Sequence, residues 1–282
     1  MLKKFGIIVA LCMFVVGCSS LKFAYGFVKT MVRERVETYL DIGENDVLAL
    51  EAEISKLVSW HRAEMLPQYA VFFESQAKLA EGSGWNRTQI DEMVTMLRAM
   101  IKDTSQGAAP YIANVLVNHT SKSKADHIQI EMDKALSKRR ELYDEPLADQ
   151  IDAAIDKTVT NLERFFGTLT EYQITIISEH KMQMYDPTGE WLDWRDKRQK
   201  DLVRFLRTEP LVLEIEDYVK VALTTPEKFF GQAYRDRADQ WWAKQASLLF
   251  NLITSLDTKQ RQTLASNLRE YSVDMVELAN KP

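Results

Sequence analysis

Four histidines, one cysteine at a processing point and a few tryptophan–arginine groups are the residues of this sequence that could do chemistry. An imidazole titrates near neutrality and is the commonest metal ligand, so His61, His119, His127 and His180 are the candidates for proton transfer or coordination. None has a second His, Cys or carboxylate at a zinc spacing such as H-E-x-x-H, and neither a metal nor another cofactor is expected. His119 and His127 flank the polar run Ser121–Lys124 and are expected to be solvated. His61 lies on an apolar stripe, where a partly buried core histidine is expected. The chain has no G-x-S-x-G elbow, no Walker A loop and no G-x-G-x-x-G, and no carboxylate pair stands out, Asp193 and Asp196 included. No catalytic residue is assigned.

Trp191-x-x-Trp194-Arg195 places two indoles on one helical face with Arg195 and Arg198 close by, a composition enriched in binding hot spots. Trp241 and Trp242 point about 100° apart on a helix, so both cannot occupy the centre of a narrow apolar stripe. Trp60, His61, Arg62 and Arg164 complete the candidate interaction residues. Packing between helices is the plainer reading of each tryptophan cluster.

Cys18 is the candidate for covalent modification. Lys3 and Lys4 precede an apolar stretch of twelve residues, Phe5 to Val16, which suits secretion and is too short to span a bilayer. It ends in Val15-Val16-Gly17-Cys18, which resembles the bacterial lipobox. That resemblance implies cleavage before Cys18 and a diacylglyceryl group on its thiol. The expected organisation is a lipoprotein signal peptide over 1–17, a lipidated tether over 18–23 and a helical domain over 24–282. Ser19 stands where an Asp would mark inner-membrane retention, so the sorting rule implies the outer membrane, periplasmic face. Each buried CH₂ of an acyl chain contributes about 0.8 kcal/mol, and a multiply acylated cysteine anchors durably without a membrane-spanning helix.

Release of residues 1–17 removes Lys3, Lys4 and Cys12, so the formal charge of −5 becomes −7 and Cys18 is the only cysteine left. An acidic, exported domain lacks the basic field that nucleic acid requires, and no nucleic-acid partner is expected. A single cysteine excludes an intrachain disulfide. An apolar content of 46% with 27% charged residues fits an ordered globular chain.

The elements that must position these residues read as helices. Apolar residues recur every three or four positions, as in Val47, Leu50, Ile54, Leu57 and His61, or Ile90, Met93, Val94, Leu97 and Ile101. Glycines and prolines are few, no period-2 alternation is sustained, and an all-α fold of about ten helices is expected. Five copies of one pattern mark expected helix starts: Leu40-Asp41-x-x-Glu44, Trp85-Asn86-x-x-Gln89, Leu169-Thr170-x-x-Gln173, Leu223-Thr224-x-x-Glu227 and Leu256-Asp257-x-x-Gln260. Each has the form of a capping box, in which the cap side chain accepts from the first turn while Glu or Gln reaches back to the cap N–H. Breaks are expected at Gly82-Ser83-Gly84, at Gly107–Pro110 and at Asp186–Gly189, with a kink or interruption at Pro67. The polar joint 121–124 is the expected boundary between two lobes.

Trp60-His61-Arg62-x-Glu64-x-Leu66-Pro67-x-Tyr69-Ala70 and the later Arg164-x-Phe166-Gly167-x-Leu169-Thr170-x-x-Gln173 resemble two signature segments of a proteobacterial lipoprotein family, domain of unknown function 6279. Two departures are the Asp41/Glu44 pair in place of Thr and Gln, and Phe166 in place of Trp. The resemblance implies localisation and a helical fold and brings no activity. Leu-Thr-x-x-Gln also resembles the motif of the small periplasmic stress chaperones of the spheroplast protein Y type, although those present a basic surface. The leading expectation is a non-enzymatic protein anchored to the membrane through its N-terminal lipid and binding an envelope protein partner. A chaperone-like client binder and a cryptic envelope hydrolase are the alternatives.

Overall fold

The computed structural model describes residues 19–82, 84–184 and 189–281; the signal segment 1–17 and Cys18 lie outside the described residues. Among the described residues every regular element is a helix, and the all-α expectation stands. In chain order these are α1 (Ser19–Gly26), α2 (Val28–Glu37), α3 (Val47–Trp60), a π-helical turn (His61–Met65), α4 (Leu66–Glu81), α5 (Arg87–Leu116), α6 (Lys122–Arg140), α7 (Leu147–Phe166), α8 (Glu171–Met184), α9 (Glu190–Leu206), α10 (Val212–Thr224), α11 (Glu227–Thr254) and α12 (Thr258–Ala279). No helix among the described residues is long and apolar enough to cross a membrane.

Three of the five capping patterns start helices. The Asn86 and Asp257 side chains accept from Gln89 N and Gln260 N, and Thr170 Oγ1 accepts from Gln173 N. In each case the glutamine Oε1 accepts in turn from the cap N–H. The other two patterns do not. The chain from Asp41 to Asp46 is loop and turn, and α3 begins only at Val47. Thr224 is the last residue of α10, where its hydroxyl bonds back to the Lys220 carbonyl. One start went unread: Glu214 reaches back to the Leu211 N–H at 2.7 Å and opens α10.

Gly107 and Pro110 do not end a helix. α5 runs through both for 30 residues, because Gly107 serves a side-chain contact described below and not a turn. The tether was expected over 18–23, of which Cys18 lies outside the described residues. Residues from Ser19 onward form α1, and Leu21 is buried in the main core, so this segment is docked on the domain.

The main core joins α1, α3, α4, the first half of α5, α7, α8, the last part of α11 and α12. Its centre is the pairing of α4 with α12. There Phe73 meets Tyr271 at 5.8 Å and Ser272 Oγ donates to the Ala70 carbonyl at 2.8 Å. A second core gathers Leu40, Ala109 and Ala113 of α5, Ala125 and Ile128 of α6, Val203 and Leu206 of α9, and Ile215 and Val219 of α10. The joint 121–124 is therefore not a boundary between cores: Ala113 before it and Ala125 after it pack into the same one. Helix–helix burial, and not chain order, divides the molecule.

Candidate functional site

The first signature segment is built around the π-turn. In a regular helix the Pro67 ring would collide with the carbonyl four residues back, and proline has no N–H to give. The turn widens instead: the Leu66 N–H reaches the His61 carbonyl five residues back, and α4 restarts with Pro67 in its first turn. The expected interruption at Pro67 is this turn, and it fixes the directions of Trp60, His61 and Arg62.

Trp60 lies against the backbone of α5. A Cβ on Gly107 would fall 1.8 Å from Trp60 Cζ2, so only glycine admits the indole there. His61 is buried, stacked on Tyr25 at 5.9 Å, with its Nδ1 bonded to Tyr25 Oη at 2.8 Å. Its Nε2 is buried without a hydrogen-bond partner among the described residues. Burial pushes its pKa down to about 4, so the ring is neutral at pH 7. Tyr69, pushed up to about 12 by burial, bonds Thr104 Oγ1 beside it. The Arg62 guanidinium lies 5.5 Å from the Tyr25 ring. Trp60 and His61 thus belong to the core, as expected for His61. His119 departs from expectation, since it is buried with Nδ1 bonded to the Val115 carbonyl at 3.0 Å.

The second segment is a corner. Gly167 adopts φ 77° and ψ −166°, a region essentially reserved for glycine, and it turns α7 into α8. Asn267 Nδ2 donates to the Arg164 and Phe165 carbonyls, both at 2.9 Å, and closes the end of α7. Arg164 itself is exposed. The two glutamines that close the Thr170 and Asp257 boxes meet side by side, each Nε2 donating to the other's Oε1 at 2.9 Å. Two helix starts are thereby tied through one buried amide pair, which also reaches the Ser255 and Thr168 carbonyls.

The third set lies where α9 faces α11. Trp191 and Trp194 touch edge to face at 4.9 Å, and both meet Tyr234, at 5.7 and 5.0 Å. The aromatic row continues from Tyr234 through Phe230, Phe229 and Tyr218 to Phe205. Arg195 is buried within this set and Arg198 is half-buried. Burial first, and then the Arg198 cation, lowers the Arg195 pKa to about 10. Burial lowers Arg198 too, while its hydrogen bond with Tyr234 opposes that shift. Among the described residues no carboxylate forms an ion pair with either arginine. Nearby acids are engaged elsewhere: Glu190 with Arg237, Asp193 with Arg140, Asp196 with Lys200.

Trp241 and Trp242 are both half-buried and cross edge to face at 4.8 Å. Trp242 packs on the main core under Arg98, 5.6 Å away. The structure thus joins Trp191, Trp194 and Arg195 in one cluster, and it puts Trp60 and His61 in another. Sequence reasoning missed Tyr25, Thr104 and Gly107 as parts of the first and Tyr218 and Tyr234 as parts of the third. Gly107, a glycine inside a long periodic stretch, was the signal available.

Among the described residues no group of three His, Cys, Asp or Glu could hold a metal ion. A surface depression of about 410 Å³ between α4 and α12 is lined by Glu81, Gln262, Ala265, Ser266, Arg269 and Glu270. Arg269 pairs with Glu81 across it. No curated protein and no solved structure matches the chain. A family described as a family of unknown function, DUF6279, matches residues 38–235, which hold both signature segments and the α9 tryptophans. The match leaves out α1 and α12, which cover the signature helix α4 and its π-turn. With most of its length matched, the chain belongs to the DUF6279 family.

Proposed function

We propose that this chain is a lipid-anchored periplasmic protein of the outer membrane that binds another envelope component through the α9–α11 face, without catalysis. The observation that supports the binding reading is the set of Arg195 and Arg198 beside Trp191, Trp194 and Tyr234. Two cations held side by side in an aromatic setting repel each other and lose hydration. An anionic group seated against the guanidinium planes would relieve both costs, and arginine among aromatics is the usual make-up of a binding hot spot. The anchor reading rests on the lipobox at Cys18, which lies outside the described residues.

A photo-crosslinking residue placed at Trp194 in intact cells tests the binding reading. Capture of one discrete envelope component, reduced at least about tenfold by Arg198→Glu, is the expected result. No capture at Trp194, or capture indifferent to Arg198, overturns it. For the anchor, labelled palmitate entering the parent chain and not Cys18→Ser is expected. Equal labelling of both chains refutes lipidation at this cysteine.

A further inference from the structure

The segment that follows Cys18 is apolar on two sides. Leu21, Tyr25, Val28, Val32 and Val36 pack on the main core. Phe23, Phe27 and Met31 face outward, 68%, 50% and 44% exposed. Their spacing of four aligns them along one stripe of α1 and α2. The turn at Phe27 between the two helices preserves that alignment, because the Phe27 N–H bonds Ala24 O at 3.1 Å and the Phe27 carbonyl accepts from Met31 N at 2.9 Å. The Phe23 and Phe27 rings meet edge to face at 4.9 Å.

A helix with one face in a core ordinarily turns polar residues to water. A lone exposed apolar side chain needs no explanation, but a row of three with two aromatics in contact does. Two further features say what covers it. Residues 19–37 carry Lys22, Lys29, Arg33 and Arg35 against Glu34 and Glu37; Lys22 and Arg33 are held by carboxylates, while Lys29 and Arg35 form no ion pair among the described residues. The segment also begins at the residue after the proposed anchor. At about 1.5 Å per helical residue, Phe23 lies roughly 6 Å and Met31 roughly 18 Å along the axis from the start of α1. An acyl chain on Cys18 would hold the whole stripe at the headgroup layer with no spacer between.

We infer that Phe23, Phe27 and Met31 form a membrane-interface face. α1 and α2 lie along the bilayer with these side chains in the headgroup–acyl boundary, and the cations of Lys29 and Arg35 favour anionic lipid. The face acts as the second of the two signals that stable attachment requires. It also sets orientation, since α1 is fixed to the domain. Lys22 pairs with Asp274 at 3.0 Å and Glu277 at 2.8 Å on α12, and Tyr25 bonds His61. The anchor is thus a mount with a defined angle and not a flexible leash. This inference rests on the lipid-anchor reading above.

The test uses the full chain in bacterial cells, with p-benzoylphenylalanine placed at Phe27 or, as control, at the exposed Lys259 of α12. After irradiation the chain is recovered, the adducts are weighed, and the mass of the N-terminal peptide reports separately whether Cys18 is acylated. Phospholipid adducts at Phe27 and none at Lys259 are expected, falling sharply when Phe23→Ser and Met31→Ser are combined. An adduct at Phe27 with a protein or a second copy of this chain, or none at all, overturns the membrane face even if Cys18 is acylated. An unmodified N-terminus with phospholipid still captured at Phe27 refutes the anchor and leaves the face standing.

Discussion

At the scale of single residues, glycine 107 and histidine 61 show opposite balances of local cost and tertiary gain. Glycine inside a helix costs roughly 0.5–1 kcal/mol relative to alanine. Gly107→Ala recovers that amount and sets a methyl 1.8 Å from an indole carbon. Overpacking costs roughly 1–3 kcal/mol, so the clash wins and net destabilisation of about 1–2 kcal/mol is expected in urea unfolding. Trp60→Phe should remove most of the added penalty in the double variant. His61 stays neutral when folded because burial holds its pKa near 4, below its ordinary value of 6.5. The unfolded chain therefore binds more protons between those values, and stability is full above pH 6.5 and declines as pH falls toward 4. His180 shifts the same way. The loss assigned to His61 is of order 3 kcal/mol by the equivalence of pKa shift and free energy. His61→Gln retains an amide able to bond Tyr25 and does not titrate. A shallower fall of stability between pH 6.5 and 4 is expected for this variant, and a slope equal to that of the parent would remove His61 as its source.

At the scale of elements, the sequence shows where helices are and only partly where they begin. Periodicity sufficed for α3, α5 and α12 because one face of each is buried over several turns. The capping pattern is short, so it also occurs where its residues do other work. Thr224 ends a helix as readily as Thr170 begins one, since its hydroxyl can bond back along α10. What no local pattern announces is that Gln173 and Gln260, eighty-seven residues apart, share hydrogen bonds. The pair is a nonlocal device. Truncating either one leaves buried amide groups unpaired, at about 1–3 kcal/mol for each such group. Gln260→Ala is expected to lower stability by at least about 2 kcal/mol. In a double-mutant cycle with Gln173→Ala the combined loss should fall short of the sum by roughly 0.5–3 kcal/mol. Additive losses would mean that the two boxes act independently.

At the scale of the whole molecule the two cores are interleaved along the chain. α5 supplies its first half to the main core and Ala109 and Ala113 to the second. α6 continues in the second core, α7 and α8 return to the main one, α9 and α10 go back to the second, and α11 and α12 close on the main one. This plan was invisible in the sequence because the polar joint 121–124 carries the composition of a linker. That stretch is polar because it is a solvent-facing corner. The same reasoning explains why Trp191, Trp194 and Arg195 were legible as a cluster while Tyr218 was not: helical spacing relates residues within α9, and tertiary packing brings in α10 and α11. A chain ended after Thr120 would keep α4 without α12, its main partner, and would expose core side chains that α12 covers, Phe73 among them. At about 25 cal/mol per Å² of apolar surface left in water, such a fragment loses several buried side chains worth roughly 1.5–3 kcal/mol each. That total is comparable to the whole stability of an ordinary domain. The fragment is expected to show no cooperative thermal transition by circular dichroism, whereas the full chain melts in one step. An independently melting fragment would restore a boundary at 121–124 and make the second core an addition to a self-sufficient first one.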